Sequence, residues 1–239
     1  MRRQTSNIHT ERTSVWCAHG GFTLIEMMIA MLMGAVVMGA VWASFQAQHR
    51  TYLVQDDTAY MQQNLRAAAE MLERDIRMAG YDPSLSGGGG ITVAGANTIT
   101  LSTWNDNTNA FDTIVYSLGD AFATAVPPTN DGDQDLLRSL NGGGAQPVAE
   151  NIDALNFVYL DRTGLVTANP AEVRTVQISV IARAATADQN FVNSIPYNNL
   201  QGGSLTLQML PGINLANPVN DNFRRRLYQS SVICRNLRR

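Results

Sequence analysis

GGFTLIEMMIAMLMGAVVMGAV, residues 20–41, joins two glycines to an apolar run that carries a single carboxylate, Glu26, near its start. From Phe22 to Phe45 Glu26 is the only charge, and Thr23 and Ser44 are nearly the only other polar side chains. In α-helix this run spans about 36 Å at about 1.5 Å per residue, enough to cross a hydrocarbon core of about 30 Å. The pattern therefore predicts a membrane-spanning helix over 22–46, with a buried core helix as the competing reading. The flanks predict its direction. Arg2, Arg3 and Arg12 precede the span against one acid, Glu11, whereas Arg50 is soon followed by Asp56 and Asp57. The positive-inside bias places the N-terminus in the cytoplasm and everything after about residue 46 outside.

Other export signals fit less well. Ala43 and Ala47 offer a weak Ala-x-Ala-like cleavage site after the apolar run. Arg2-Arg3 lacks the surroundings of a twin-arginine signal and reads as a basic leader. No apolar run precedes Cys17, which argues against lipidation there.

Composition narrows the chemistry. All 17 basic residues are arginine, and the 3 histidines, His9, His19 and His49, lie at or before position 49. Beyond that point the chain has no imidazole and no lysine for a Ser-His-Asp triad, a His-ligated zinc, a Schiff base or a P-loop. Carboxylate-only chemistry remains open, but no Asp/Glu pair positively marks a glycosidase. Net charge is −3, with six arginines and no acid between Arg224 and Arg239. Removing those six leaves the rest of the chain at about −9, an acidic, solvated body.

Gly21-Phe22-Thr23-Leu24-Ile25-Glu26, followed by its unbroken apolar helix, resembles the cleavage and methylation signal of type IV pilins and type II secretion pseudopilins. The resemblance implies that prepilin peptidase cuts after Gly21, ending a cytoplasmic leader at 1–21, and methylates the new amine of Phe22. It also implies that Glu26, fifth in the mature chain, pairs with the N-terminal amine of a neighbouring subunit. A carboxylate in a membrane helix costs about 2.5–3.5 kcal/mol or more unless paired. One turn from a new helix N-terminus, the dipole and an ammonium both favour it. Such processing removes Cys17 and leaves Cys234 alone, so the C-terminal disulfide loop of many major pilins is absent.

Past the span, Leu53, Met61, Leu65, Ala68, Leu72, Ile76 and Ala79 keep helical spacing, with charged residues on the other faces. This predicts an amphipathic continuation over 47–80. Gly80 is the expected terminator, with Pro83 beyond it. The helix from Phe22 to about Ala79 would measure roughly 87 Å. From 81 to 239 an extracytoplasmic, β-rich domain is expected. Gly87–Gly90 reads as a linker, and strands are predicted at Thr98–Trp104, Thr113–Leu118, Ala154–Leu160, Val173–Arg183, Leu205–Leu210 and Leu227–Leu237. Asp161-Arg162-Thr163-Gly164 reads as a hairpin turn. The predicted class is α+β, with a long helix packed on a mostly antiparallel β domain as in pilins.

Val148 to Asp161, with Gly164 after it, looks like the "NI..L.F.Y.D..G" segment of PilW-type minor pilins and pseudopilin J. Val173–Arg183 and Arg224–Asn236 are similar to later strands of those proteins, and the likeness is weakest over 84–146 and 184–222. Two motifs have plainer readings. Asp131, Asp133 and Asp135 alternate as in calcium loops, but the twelfth position is Gly142 rather than glutamate, so a polar loop is the expectation. The C-terminal arginines read as guarding a strand edge or pairing with the acidic body. With only Tyr228 among them, nucleic-acid binding is poorly supported.

The resemblance thus implies a non-enzymatic minor pilin without cofactor, metal or small-molecule substrate. Its partners would be prepilin peptidase, other minor and major pilins, the inner-membrane assembly platform and the lipid bilayer. It would reside in the inner membrane and then in a pilus. The alternatives are pseudopilin J of a type II secretion system and, from another class, a membrane-anchored extracytoplasmic enzyme or binding module.

Overall fold

The computed structural model describes residues 21–120, 134–210 and 213–237. Residues 1–20, with Cys17 and His19, and the aspartates Asp131 and Asp133 lie outside them. The chain divides into two units at Arg50/Thr51, and helix α1, Leu24–Met78, is the element common to both. In the first unit every described residue is exposed.

In the second unit α1 buries Met61, Leu65, Ala68, Leu72 and Ile76. Their spacing of three and four puts them on one helix face. Leu53, expected on that face, is exposed. The helix ends as predicted: Gly80 has φ +81°, a left-handed conformation that favours glycine. Its N–H leaves the helix to bond the Ser102 carbonyl (3.0 Å).

Ten strands follow. β1 (Gly90–Ala94), β2 (Ile99–Asn105), β3 (Ala110–Gly119), β4 (Asp135–Leu140) and β5 (Gln146–Ala149) form one sheet in sequence order. β6 (Ile152–Leu160), β7 (Thr175–Arg183) and β10 (Arg225–Ile233) form a second, ordered β10-β7-β6. β8 (Leu207–Leu210) and β9 (Ile213–Leu215) make a two-stranded ribbon. Every ladder is antiparallel. The architecture is therefore the expected α+β, pilin-like one. The Asp161–Gly164 turn also forms, with Gly164 at φ +84° and a Leu160–Val166 bridge beyond it.

One core joins α1 to both sheets, with Leu72 and Ile76 against Ile99, Tyr116, Leu136, Ile178 and Val180. A second, smaller cluster covers the opposite face of β6–β7–β10, where Ala154 and Ile181 meet Tyr197, Leu205 and Leu207. β7 is thus buried on both faces from Ile178 to Arg183, with Ser179, Ile181 and Arg183 on the second cluster's side.

The structure corrects several expectations. Gly87–Gly90 is not a linker: Gly90 opens β1, and a Cβ on Gly88 would lie 2.6 Å from the Phe111 ring. Asp135 is not a loop residue but begins β4 and is buried. The last strand ends at Ile233, ahead of a 3-10 turn at Arg235–Leu237. Val173 caps another 3-10 turn, Pro170–Glu172, so β7 starts at Thr175.

Candidate functional site

At the predicted processing point Gly21, Phe22 and Thr23 precede the helix, and α1 begins at Leu24. The start is set by Thr23. Its carbonyl accepts from the Met27 N–H (3.2 Å) and its Oγ1 from the Glu26 N–H (3.3 Å). Thr23 is therefore the N-cap and Glu26 the third helical residue, the spacing of a capping box. The sequence signal Thr-x-x-Glu is plain once the helix start is known.

Nothing within this fold accounts for the other two features. A Cβ on Gly21 would meet no atom within 4 Å, so no close contact here demands glycine. Phe22 is 77% exposed, and among the described residues the Glu26 carboxylate has no hydrogen bond or ion pair. An apolar window of mean hydropathy 2.2 lies in α1 with none of it buried. Here are an unmatched charge and a fully apolar surface with no use inside the chain, and both need something outside it.

Several charges of the second unit are matched within it. In α1, Asp75 accepts from the Tyr116 hydroxyl (2.8 Å) and the Arg138 Nε (2.9 Å), joining the helix to β3 and β4. Burial, reinforced by the Asp75 charge, pushes the Tyr116 phenol up from its ordinary value. Asp75 follows Leu72 by three, on the buried face, which is the signal that would have marked it. A second cluster surrounds Asp153. There the β6–β7 register slips, so Asp153 is an extra residue in the ladder, a bulge that re-aims its side chain. Its carboxylate accepts from Arg183 Nε (3.1 Å) and Arg225 Nε (2.5 Å). Arg225 also grips Asp221 at 2.6 and 2.7 Å. Burial pushes the Asp153 carboxyl up against the pull of Arg225 and Arg183. The Arg183 guanidinium lies 4.4 Å from the centre of the Phe223 ring. Arg224 pairs with Asp188 (2.7 Å). Of the C-terminal arginines, Arg224 and Arg225 thus pair with the acidic body, one of the two expected roles.

Among the described residues no group of three or more His, Cys, Asp or Glu side chains is placed to hold a metal ion. The family model of the prokaryotic N-terminal methylation motif matches residues 16–42, which include Gly21, Phe22 and Glu26. No curated protein matches the chain. The prepilin-type motif, on this α+β fold, supports a type IV pilin-like protein, of the pilin or pseudopilin kind. The motif implies processing by prepilin peptidase, membrane anchoring and assembly with other pilins, and the proteins that carry it are structural rather than enzymatic.

Proposed function

We propose that the protein is a minor pilin of the PilW type, made as an inner-membrane precursor, processed after Gly21 and inserted into a type IV pilus or its initiating tip complex. Residues 1–21 are the cytoplasmic leader, 22–46 the membrane span and later filament core, and 81–239 a periplasmic domain carried on the amphipathic segment 47–80. The observation that carries this reading is the capped helix start with an unpaired Glu26 and a wholly exposed apolar run. The Phe22 amine, freed by cleavage and methylated, gives a neighbour's Glu26 its counter-charge. In a low-dielectric setting that pairing removes a cost of about 2.5–3.5 kcal/mol or more, which makes the carboxylate a register mark for assembly. The chain acts by binding and not by catalysis.

The test is mass spectrometry of the mature N-terminus in cells with and without prepilin peptidase. An N-methylated Phe22 that depends on the peptidase is expected. An intact Met1, or cleavage near Ala43 to Ala47, would refute the reading in favour of an anchored enzyme or binding module.

A further inference from the structure

Among the described residues the outer face of the β6–β7–β10 sheet is covered at one end only. At one end Ala154, Ile181 and Leu227 lie beneath Tyr197, Leu205 and Leu207. The cover stops near Gln177, where Gln201 donates to its side chain (3.0 Å). Beyond it, Val166 pairs with Leu160, Leu160 with Thr175, and Thr175 with Ile233. Directly paired residues share a face, so these four form one row across the sheet. Their sequence neighbours Tyr159, Val176 and Val232 point the other way, into the core. Val166 is 63% and Ile233 57% exposed.

The same end of the sheet has an open edge. Cys234 and Arg174 share a ladder hydrogen bond, so in the alternating antiparallel pattern the backbone groups of Ser231 and Ile233 point away from β7. Among the described residues those groups have no partner. Beside the row lies a cleft of about 420 Å³ lined by Asp161, Arg162, Arg174, Thr175, Ile233 and Cys234. The Asp161 carboxylate is turned into its own loop, accepting from Thr163 N (2.7 Å), Thr163 Oγ1 (2.7 Å) and Leu165 N (3.0 Å). The Arg174 guanidinium donates to the carbonyls of Ala171 (3.1 Å) and Val173 (2.7 Å), which leaves Arg162 as the cation the cleft offers a ligand. Arg162 is exposed and has no ion pair among the described residues.

We propose that this uncovered half-face is a docking surface for an extended, acidic segment of another, non-identical pilin subunit. Apolar side chains of that segment cover Val166, Leu160 and Ile233, its backbone extends the sheet at β10, and its carboxylate meets Arg162 in the cleft. Each part of the surface selects for a part of this partner: the open edge for an extended strand, the row for apolar groups, the Arg162 guanidinium for an acid. The identity of the partner as a pilin rests on the assembly reading above.

The experiment is site-specific photocrosslinking in the full chain, in the cells that make it. The photoreactive residue p-benzoylphenylalanine is placed at Val166 or Ile233, with Val93 on β1 as an exposed control, and the linked peptides are mapped. Both row positions are expected to reach one segment of one other pilin subunit that contains Asp or Glu, and Val93 is not. Arg162→Glu should cut that link about tenfold, and replacing the mapped acid with arginine should restore it. A link to a second copy of this chain or to lipid overturns the proposal. So does the lack of any link from either position while Phe22 is N-methylated and the chain is in filaments. If Phe22 is never methylated, the pilin reading itself fails, and the two failures are thus told apart.

Discussion

Tyr116→Phe removes one oxygen from the centre of the domain and tests whether α1 is fastened to the sheet by a polar bond as well as by its apolar face. The Tyr116 side chain is fully buried, and its hydroxyl donates to Asp75 Oδ2 at 2.8 Å. A hydrogen bond to a charged group contributes about 1.5–3 kcal/mol. The carboxylate keeps Arg138 Nε at 2.9 Å, so it is not stranded, and the lower part of that range applies. A loss of about 1.5–2 kcal/mol is expected. With a urea slope of about 2 kcal/mol per M the midpoint falls by about 0.75–1 M. The assay is urea unfolding of the full chain in detergent, followed by circular dichroism. A double-mutant cycle with Asp75→Asn should show a coupling above about 0.5 kcal/mol. Because the folded phenol is held above its unfolded value, its share of stability is present below about pH 10 and lost as pH rises beyond it. The Tyr116→Phe cost should therefore be flat from pH 6 to 9. A loss under about 0.5 kcal/mol, or additive single variants, would refute the reasoning.

Further outcomes can be checked more briefly. Glu73 is held below its usual range because hydrogen bonds from Ser230 and Tyr228 and the Arg77 charge outweigh its burial. Asp221 is lowered because its Arg225 hydrogen bonds prevail over burial, and Asp188 is lowered by Arg224. Depressed carboxylates stabilise above their unfolded values, about 3.9–4.3, and lose that contribution as pH falls through the folded ones. The Tm should thus drop below about pH 4, and a Tm that rises from pH 5 to 3 would contradict the assignment. The Cys234 thiol is buried and, by that burial, pushed up to about 12. Iodoacetamide at pH 8 should leave it unmodified in the folded chain and alkylate it in urea, as intact-mass measurement would show. Glu26→Ala should still be cleaved and N-methylated, yet enter filaments at least about tenfold less, because a neighbour's Phe22 amine is then left unpaired in apolar surroundings at a cost of about 2.5–3.5 kcal/mol. Normal incorporation would disprove the pairing role.

How much of this was readable beforehand differs by kind of feature. The six predicted strands are β2, β3, β6, β7, β8 and β10, all but β8 signalled by β-branched or aromatic residues. In the strands not predicted that signal is weak or obscured by its surroundings. β1 grows out of a glycine run, β4 reads Asp-Leu-Leu-Arg-Ser-Leu, β5 contains Pro147, and β9 has three residues. β5 lies at the edge of its sheet, where a proline without an N–H is tolerated. At the N-terminus Gly21, Phe22 and Glu26 were evident from their spacing before an apolar run, whereas the cap at Thr23 emerged only with the helix start.

What the sequence alone determined is local or periodic: the apolar run, the helical stripe from Met61 to Ile76, the stop at Gly80 and the Asp161–Gly164 turn. Each follows from residues within a few positions of one another, where sterics and hydrophobic spacing decide the outcome. What only the tertiary structure decided depends on residues far apart in the chain. Asp75 finds Tyr116 and Arg138, a bulge turns Asp153 toward Arg183 and Arg225, and the outer sheet face is covered at one end and bare at the other. Such pairings rest on strand register and on which face a side chain takes. A one-residue slip reverses that choice, and it is settled only when the whole core packs.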